Sequence, residues 1–450
     1  MRVFIVGAGS MGFALAQELD EEGHEVVVMD RDPSRIDLAR TQLDVLGIAG
    51  SGLNLRGLRE AGLESADLLI ATTGLDEVNL VACLLAREIG VRRRIARVHF
   101  QDLIEDIAEV ELSVLGVDEL VNPAEVTVRQ LFDMVRTPGT LETAEFADGA
   151  MVLRGLRVLP HSRFLKAPLQ GLRAMTKHPF VITGVRRGEQ FLVPKGDFSA
   201  EEHDIIYVVT AAPHLQAFLR AFGFRQRRDQ RVIIYGASTI GRHLAARLEL
   251  VEREVMLIEP SHEKCARASE ELRHTSVIHG TPLDSHLMEA LNVAEADYFL
   301  GVSDSEETNL TGALWAKRLG ARRAITLTQL PEHVALFEDL PVDAVVCPIA
   351  LTVGAILRRV REGTILSLFR LAGERGEAME VVAQEGSPAA GKVIRDIDFP
   401  AGVVAAAVVG SGAPQVAGGN TLIAPGDRVV VVARVDALDD ALALFDGDNG

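Results

Sequence analysis

The sequence has few cysteines and few aromatic residues. Its 450 residues include three cysteines, three tyrosines and one tryptophan. Cys83, Cys265 and Cys347 stand far apart and form no CxxC or histidine spacing, so we expect reduced thiols rather than a metal centre or a disulfide framework. No apolar run approaches the roughly 20 residues that a membrane-spanning helix needs, and no basic and apolar leader precedes the first predicted strand. We therefore expect a cytoplasmic protein.

Basic residues are also in the minority. The chain has 64 aspartates and glutamates against 46 lysines and arginines, a formal net charge of −18 at pH 7. This charge opposes attraction to phosphate backbones, so we expect no nucleic-acid partner. The 12 histidines are scattered, and none stands near a lysine or carboxylate at a spacing typical of a proton relay. The sequence therefore offers no clear catalytic acid or base.

The chain is long and internally repeated. With 450 residues it should hold three or four domains of about 100 to 200 residues each. Gly7 and Gly236 stand 229 positions apart, and Asn79 and Asn309 stand 230 apart. Around the second pair, "ADLLIATTGLDEVNLVACLLAREIGVRR" matches "ADYFLGVSDSEETNLTGALWAKRLGARR". Because further matches keep the same order, the sequence indicates a tandem duplication.

The pattern of apolar residues changes partway through each half. Short valine, isoleucine and leucine runs first alternate with amphipathic segments, which indicates βαβ units around a parallel sheet. Strands separated by glycine-rich and charged turns follow. The predicted fold is α/β, with two tandem Rossmann-like parallel-sheet domains, each followed by a small α+β C-terminal lobe. We expect the Rossmann-like domains at 1–136 and 230–361 and the lobes at 139–224 and 363–450, joined near 136–139, 224–230 and 361–363.

A complete GxGxxG turn follows the first predicted strand. Gly7 would make the tight turn, Gly9 would let a pyrophosphate approach the backbone, and Gly12 would allow close packing of the next helix. Asp30 ends the following strand, 18 positions after Gly12. A carboxylate there can accept hydrogen bonds from both ribose hydroxyls and repels a 2′-phosphate. The motif predicts an adenine-nucleotide site that favours NAD or ATP over NADP.

The second half carries an altered copy of this turn. Gly236 and Gly241 are retained, Glu259 ends the next strand, and Ser238 replaces the middle glycine. The serine side chain would hold the ligand off or shift its pose, although its hydroxyl is also able to bind a phosphate oxygen. We expect an altered or weaker second site. A GxSxG nucleophile elbow is not formed, because Ile240 stands where that motif needs glycine.

The ordered motifs resemble one family across essentially the whole chain. The series "GAGSMG", "ADLLIATTGLDEVN", "RRIARVH", "NPAEVTV" and "HDIIYVV" recurs as "GASTIG", "ADYFLGVSDSEETN", "RRAITLT", "CPIALTV" and "GDRVVVV". This order is similar to the TrkA family of Trk potassium uptake systems. The resemblance implies a non-enzymatic cytosolic subunit that regulates a membrane potassium-translocating subunit and lies at the inner face of the cell membrane. It also implies a ring, a homotetramer, that responds to NAD(H) and ATP or ADP.

The resemblance also implies which residues contact the nucleotide. In the first half they are Gly7, Ala8, Gly9, Ser10 and Met11 for the phosphates, Asp30 for the ribose, Thr73 and Gly74 after the fourth strand, and Arg97. In the second half they are Gly236, Ala237, Ser238, Thr239, Ile240, Glu259, Ser303 and Asp304. Thr326 is the predicted counterpart of Arg97, so the second half lacks that guanidinium as well as the middle glycine.

Two other functions remain open at this point. An NAD-dependent oxidoreductase would use the intact first turn. A structural scaffold would carry both turns as relics that bind nothing. Turnover of NADH with carbonyl substrates would indicate the enzyme. The absence of any stabilisation by nucleotides would indicate the scaffold.

Overall fold

The computed structural model describes most of the chain. It covers residues 1–99, 112, 114–137, 140–158, 162–166, 168–188, 190–224, 230–251, 253–360, 365–371, 375–410 and 412–447. The joints predicted at 136–139, 224–230 and 361–363 include residues 138–139, 225–229 and 361–363, which lie outside these ranges. The residue limits of the four units therefore stay a prediction.

The first half begins with a six-stranded parallel sheet. Its strands are β1 (Arg2–Val6), β2 (Glu25–Asp30), β3 (Leu46–Ala49), β4 (Leu68–Ala71), β5 (Arg93–Arg97) and β6 (Glu119–Val121). They lie in the order β3-β2-β1-β4-β5-β6, which is the Rossmann order. Strands β1, β2 and β4 are buried almost throughout, as their continuous apolar runs predict. The carboxyl ends of β1, β2 and β4 therefore meet at one edge.

Within the described ranges, five helices connect or follow these strands along the chain. They are α1 (Ser10–Glu21), α2 (Pro33–Gln42), α3 (Leu55–Glu60), α4 (Asp76–Ile89) and α5 (Pro123–Arg136). Short polar side chains cap several of them: the Asp32 carboxylate accepts from the Ser34 amide at 3.0 Å, and the Asn122 side chain accepts from the Glu125 amide at 3.1 Å. Proline at the first position of α2 and α5 fixes their starts.

The first lobe is built on an antiparallel sheet. Its strands are β7 (Thr140–Phe146), β8 (Met151–Arg157), β9 (Phe180–Arg187), β10 (Gln190–Leu192) and β11 (Ile205–Ala211), in the order β10-β9-β11-β8-β7. Helices α6 (Leu169–Leu172) and α7 (Leu215–Ala221) lie in the same lobe. Phe164 stacks on Phe222 with 4.7 Å between ring centroids, within a core of buried phenylalanines.

The second half repeats the parallel sheet. Its strands are β12 (Arg231–Tyr235), β13 (Glu254–Glu259), β14 (Ser276–His279), β15 (Tyr298–Gly301), β16 (Ala324–Leu327) and β17 (Ala344–Val346). Its helices are α8 (Thr239–Glu249), α9 (His262–Glu271), α10 (Ser285–Ala290), α11 (Glu306–Leu319), α12 (His333–Glu338) and α13 (Pro348–Val360). The order β14-β13-β12-β15-β16-β17 is the same as in the first half. One additional residue in the loop 272–275 changes the offset between the halves from 229 to 230.

The second lobe repeats the antiparallel sheet. It contains β18 (Ile365–Leu371), β19 (Gly376–Val382), β20 (Lys392–Val393), β21 (Val403–Val409), β22 (Gln415–Val416), β23 (Leu422–Ile423), β24 (Arg428–Arg434) and α14 (Leu438–Ala443). The order β18-β19-β24-β21-β22 matches the first lobe, and β20 pairs with β23 apart from it. The predicted fold class is confirmed. Across the described ranges, no helix has the length and hydropathy that crossing a bilayer requires.

The two halves exchange one helix each. Leu131 and Val135 of α5 are fully buried in the core of the second sheet, where α5 packs on α8. Ile356 and Val360 of α13 are fully buried in the core of the first sheet, against α1. The sequence predicts that α5 belongs to the first Rossmann-like domain, but its apolar face covers the second sheet instead. Each sheet therefore needs the other half to complete its core.

The two lobes also share a core. Phe146 of the first lobe meets Phe369 of the second in an edge-to-face contact with 5.1 Å between centroids. The Phe191 ring lies against Gly376, where an added Cβ would stand 2.7 Å from the ring. The contacts between halves thus extend from the parallel sheets to the lobes.

Shortening a side chain of one half should loosen the other half. We expect Ile356→Ala to lower the free energy of unfolding by about 2–5 kcal/mol, because it leaves a cavity under the first sheet. Hydrogen exchange should accelerate at β1, although the substitution lies in the second half. Leu336→Ala is the control, since Leu336 is 60% exposed and should change stability by no more than about 0.5 kcal/mol. Faster exchange confined to β12–β17 would contradict the helix exchange.

Candidate nucleotide-binding site

The first glycine turn is fixed by close backbone packing. Gly7 has a φ of +105°, and a Cβ there would lie 2.9 Å from the Thr73 amide nitrogen. A Cβ at Gly12 would lie 1.7 Å from the Gly7 carbonyl oxygen. Neither position accepts a side chain, so these two glycines serve the protein's own packing. At Gly9 the nearest atom to an added Cβ is an Arg35 nitrogen at 3.7 Å. The space above Gly9 is therefore left open to a ligand.

Asp30 holds the first glycine turn in place. The side chain is 9% exposed. Its Oδ2 accepts from the Ala8 amide at 2.7 Å, and its Oδ1 accepts from the Asp32 amide at 2.9 Å. Since a carboxylate has about four acceptor positions, each oxygen retains one that these two hydrogen bonds leave unused. The carboxylate thus has a structural role that the sequence motif does not reveal.

A buried asparagine orders the segment after β4. Asn79 is fully buried, and its Oδ1 accepts from the Thr73 amide at 2.8 Å and from the Thr73 hydroxyl at 2.7 Å. Its Nδ2 donates to the Thr73 carbonyl at 3.0 Å and to the Arg97 carbonyl at 2.9 Å. Within the described ranges, nothing lies within 4 Å of a Cβ added at Gly74. Thr73 is thereby fixed, and the space beside Gly74 is open.

The second turn has the same backbone and a different polar group. Gly236 has a φ of +106°, and a Cβ added at Gly241 would lie 2.0 Å from the Gly236 carbonyl oxygen. The Ser238 hydroxyl donates to the Val302 carbonyl at 2.7 Å and accepts from the Gly241 amide at 3.2 Å. Ser238 is therefore the N-cap of α8, and its hydroxyl proton is used within the protein. The alternative that this hydroxyl binds a phosphate does not match these contacts.

The other polar side chains of the second turn make the same kinds of hydrogen bonds as their counterparts in the first turn. Glu259 is 4% exposed, and its two oxygens accept from the Ala237 amide at 2.7 Å and the Ser261 amide at 2.9 Å. Asn309 accepts from the Ser303 amide at 2.9 Å and donates to the Ser303 carbonyl at 2.9 Å. Asp304 follows Ser303 and is exposed. The duplicated asparagines thus fix the same segment in both halves.

The strand register corrects one predicted correspondence. Arg97 pairs with Val121, and Leu327 pairs with Val346, which precedes the second exchanged helix as Val121 precedes the first. Leu327 is therefore the counterpart of Arg97, and the prediction of Thr326 is wrong by one residue. Three arginines precede Ile95 in the first half, and two precede Ala324 in the second. Matching the two segments by a pair of arginines therefore shifts the correspondence by one residue. The second half still lacks a guanidinium at this position.

The two turns open on one cleft between the halves. Its volume is about 360 Å³. It is lined by Ser10, Met11, Arg97, His99, Pro123, Ala124, Ser238, Thr239, Ile240, Val302, Ser303, Asp304, Leu327, Gln329, Pro348 and Ile349. The other predicted contacts are not part of this lining: Gly7, Ala8, Gly9, Gly12, Asp30, Thr73, Gly74, Gly236, Ala237 and Glu259. A wider depression of about 500 Å³ lies on the second lobe against residues 409–410 and 424–428 and touches neither turn.

Arg97 supplies a positive charge to this cleft. One guanidinium nitrogen donates to the Thr72 carbonyl at 3.4 Å, and another contacts His99. Its Nε is buried and has no hydrogen-bond partner among the described residues. Burial lowers the pKa of Arg97, while the charge of Asp76 acts in the opposite direction. A helix N-terminus, a guanidinium that lines the cleft and an open glycine together fit an anionic phosphate.

Comparison with known proteins agrees with this geometry. The family description "TrkA-N domain" matches residues 3–123 and 232–348, and "TrkA-C domain" matches residues 378–446. The chain belongs to the TrkA family. It is 31% identical over 441 residues to the Trk system potassium uptake protein TrkA of Halomonas elongata, covering 96% of this chain and 95% of that protein. It is 31% identical over 451 residues to the TrkA of Azorhizobium caulinodans, covering 99% and 98%.

Solved structures share the fold of this TrkA family member. The GsuK channel bound to NAD superposes with a TM-score of 0.64 and 18% identity, covering 99% of this chain and 78% of the channel chain. GsuK bound to ADP superposes with a TM-score of 0.51 and 15% identity, covering 80% and 69%. At these identities the likeness shows a common fold.

Two carboxylates of this TrkA chain have a role that the sequence analysis missed. Asp76 accepts from the His99 amide at 2.8 Å and meets its ring at 2.9 Å. Glu306, the equivalent residue, accepts from the Gln329 amide at 2.6 Å and from the Thr328 hydroxyl at 2.8 Å. They fix the segments that carry His99 and Gln329 into the cleft. Their position three residues before the duplicated asparagines was a signal in the repeat that the motif search did not use.

Removing the asparagine clamp should destabilise the first site. We expect Asn79→Ala to lower the free energy of unfolding by about 2–4 kcal/mol, because the Thr73 amide and the Arg97 carbonyl lose their buried partner. Denaturant unfolding of the full chain measures this. Asn54→Ala is the control: Asn54 is an exposed cap of α3 and should cost about 1 kcal/mol. Equal losses for the two variants would contradict the clamp.

Glu306 should make stability depend on acid pH. Burial would raise the pKa of this carboxyl, but hydrogen bonds from Gln329, His333 and Thr328 outweigh it and lower the pKa below its ordinary value. The carboxylate therefore stabilises the fold above the unfolded pKa of about 4.3, and this contribution is lost as the pH falls through the lower folded pKa.

The Glu306→Gln variant tests this dependence. It should be less stable than the wild type at pH 7, and the difference should shrink at pH values below the folded pKa. Unfolding by denaturant at a series of pH values measures it, with the exposed Glu289→Gln as control. A Glu306→Gln deficit that is the same at all pH values would contradict the assignment.

Proposed function

We propose that this chain is a nucleotide-sensing regulatory subunit of a potassium uptake system. One observation carries the proposal: two glycine turns from two halves open on one cleft, at the start of the helices that the halves exchange. A ligand in this cleft would contact both halves at once. Its binding energy would then depend on how the halves are placed, which a sensor requires.

The ligands we propose are NAD(H) and ATP or ADP. The family membership and the Rossmann order support a nucleotide, and the fold is shared with a channel solved with NAD and with ADP. Arg97 and the N-terminus of α1 would hold phosphates, and the spare acceptor positions of Asp30 would take ribose hydroxyls. We also propose that all the predicted contact residues of both turns bind the nucleotide. The residue limits of the two Rossmann-like domains and the two lobes are part of the same proposal.

The exchanged helices would carry the signal. Pro123 and Ala124 begin α5, Pro348 and Ile349 begin α13, and all four line the cleft. The same helices end beside the first strand of each lobe. A ligand that moves the start of α5 or α13 would therefore move a rigid element that reaches the opposite sheet and the lobes.

The regulated partner would be a membrane potassium-translocating subunit of the Trk type. Curated relatives are named Trk system potassium uptake proteins. We propose a cytoplasmic, non-enzymatic subunit that assembles as a homotetrameric ring at the inner face of the membrane. Moving a gate from 1:99 to 99:1 needs about 5.5 kcal/mol, which about four sites supply at ~1.4 kcal/mol each. A tenfold preference per site for one gate state therefore suffices.

Exchanging the middle residues of the turns tests the binding assignment. We expect Gly9→Ser to weaken nucleotide binding at the first turn at least about tenfold without loss of fold, because the added side chain has room in the protein and occupies the ligand's space. Ser238→Gly should strengthen binding at the second turn at the cost of a few tenths of a kcal/mol in α8 capping. Calorimetric titration with NAD, NADH, ATP and ADP measures affinity and stoichiometry.

A third glycine provides the control. Gly412→Ser places the same side chain in the second lobe, at a position where the described residues leave 4 Å free around the new Cβ, and should leave all affinities unchanged. Potassium flux through a Trk-type membrane subunit in vesicles, measured with and without nucleotide, tests the regulatory role. Wild-type protein that binds none of the four nucleotides, or flux that ignores all of them, would overturn the proposal. Consumption of NADH with carbonyl substrates would favour an oxidoreductase.

A further inference from the structure

Of three equivalent positions in the two turns, one carries a cation in both halves and two differ in charge. In the first half, Arg35 follows Asp30 in the first turn of α2, Gly74 follows β4, and Arg97 ends β5. The second half has a lysine, an aspartate and a leucine at these places: Lys264, Asp304 and Leu327. The first turn thus faces two cations and no acid at these positions, whereas the second faces one cation and one acid.

Asp304 binds Lys264, the one cation among these three positions in the second half. Lys264 Nζ lies 2.9 Å from Asp304 Oδ2. Lys264 lies on α9, which follows β13, and Asp304 follows β15, while β12 lies between those two strands. Two strand spacings amount to about 10 Å. The ion pair therefore crosses the carboxyl end of β12, where the glycine turn begins.

Other charged groups near the turns are committed elsewhere. Asp32 of the first half caps α2 through the Ser34 amide and hydroxyl. Arg242, under the second turn, is bound to Glu271 at 2.7 Å and to the Ala237 carbonyl at 2.8 Å. Asp30 and Glu259 occupy equivalent positions and are both carboxylates, so they add no charge difference between the two turns. Arg35 lies 3.7 Å from carboxylate oxygens of both Asp30 and Asp32. The remaining difference between the turns is therefore carried by two pairs of positions: Gly74 and Asp304, and Arg97 and Leu327.

We propose that Asp304 is a specificity-determining residue that makes the second turn discriminate against highly charged phosphates. The first turn would take nucleoside di- and triphosphates, and the second would favour a dinucleotide such as NAD, whose nicotinamide ring is cationic. This inference rests on the proposed function, since it concerns ligands of the same two turns. It adds a cause for the inequality that Ser238 alone does not supply, because a serine carries no charge.

The charge of Asp304 matters more than the strength of its ion pair. Lys264 is 45% exposed and Asp304 is 76% exposed, so the pair contributes little to stability and a ligand can separate it. Once the pair is separated, the carboxylate remains beside the phosphate path. Its repulsion grows with the number of ligand charges and is screened by salt over about 10 Å at 0.1 M. ATP is therefore affected more than NAD.

Reciprocal substitutions in the full chain test the proposal. Asp304→Asn removes the charge with little change of shape, and Gly74→Asp gives the first turn the acid of the second. Asp339→Asn, an exposed aspartate at the end of α12, is the control for net charge. Hydrogen exchange at residues 7–12 and 236–241 during titration with ATP or NAD reports the occupancy of each turn separately.

We expect Asp304→Asn to strengthen ATP binding at residues 236–241 about tenfold and NAD binding about twofold or less. Gly74→Asp should weaken ATP binding at residues 7–12 by a similar factor, and both effects should shrink at about 0.5 M salt. An unchanged ratio of ATP to NAD affinity in Asp304→Asn, or the same change in Asp339→Asn, would overturn the inference. Failure of both nucleotides to protect either turn would instead overturn the proposed function.

Discussion

The burial of the two exchanged helices is the constraint on which the rest of the structure depends. An amphipathic helix must cover its apolar face, and α5 and α13 do so against the sheet of the opposite half. Neither parallel sheet has a complete core without the other half. This shared core fixes the distance and the angle between the two glycine turns, and the cleft between them exists because of it.

The residues of the two glycine turns are of two kinds: some are required by backbone packing, and others tolerate a side chain. The glycines at positions 7, 12, 236 and 241 are required by backbone packing alone, because a Cβ at any of them would lie within 3 Å of another backbone atom. These positions would therefore be glycine in a turn that binds nothing. The middle position is different, since the protein itself tolerates a side chain there, as Ser238 shows. Under the proposed function, the residues at positions 9 and 238 would therefore be the ones whose identity depends on the ligand.

Much of the fold and part of the site could be predicted from the sequence. Continuous apolar runs and two GxGxxG-like turns predicted the Rossmann-like sheets, and the ordered repeats predicted the duplication. The helix exchange could not be predicted, because the apolar stripe of α5, with Leu131 and Val135, fits either sheet equally well and the choice is made by tertiary packing. The match of Arg97 to Thr326 failed for a local reason: a run of arginines hides a shift of one residue that only strand register reveals.

The duplication also explains why the two turns can differ. In a symmetric pair of identical chains, a change at one turn is necessarily made at both, so neither could specialise. Within one chain, the residues that face the shared core remain apolar in both halves, whereas the residues that face the cleft do not have to match. Arg97, Leu327, Ser238 and Asp304 line the cleft, and Gly9 and Gly74 are the counterparts of Ser238 and Asp304 in the first half. The shared core therefore holds the architecture constant while the cleft-facing positions diverge, and under the proposed function this divergence would let one cleft respond to two different ligands.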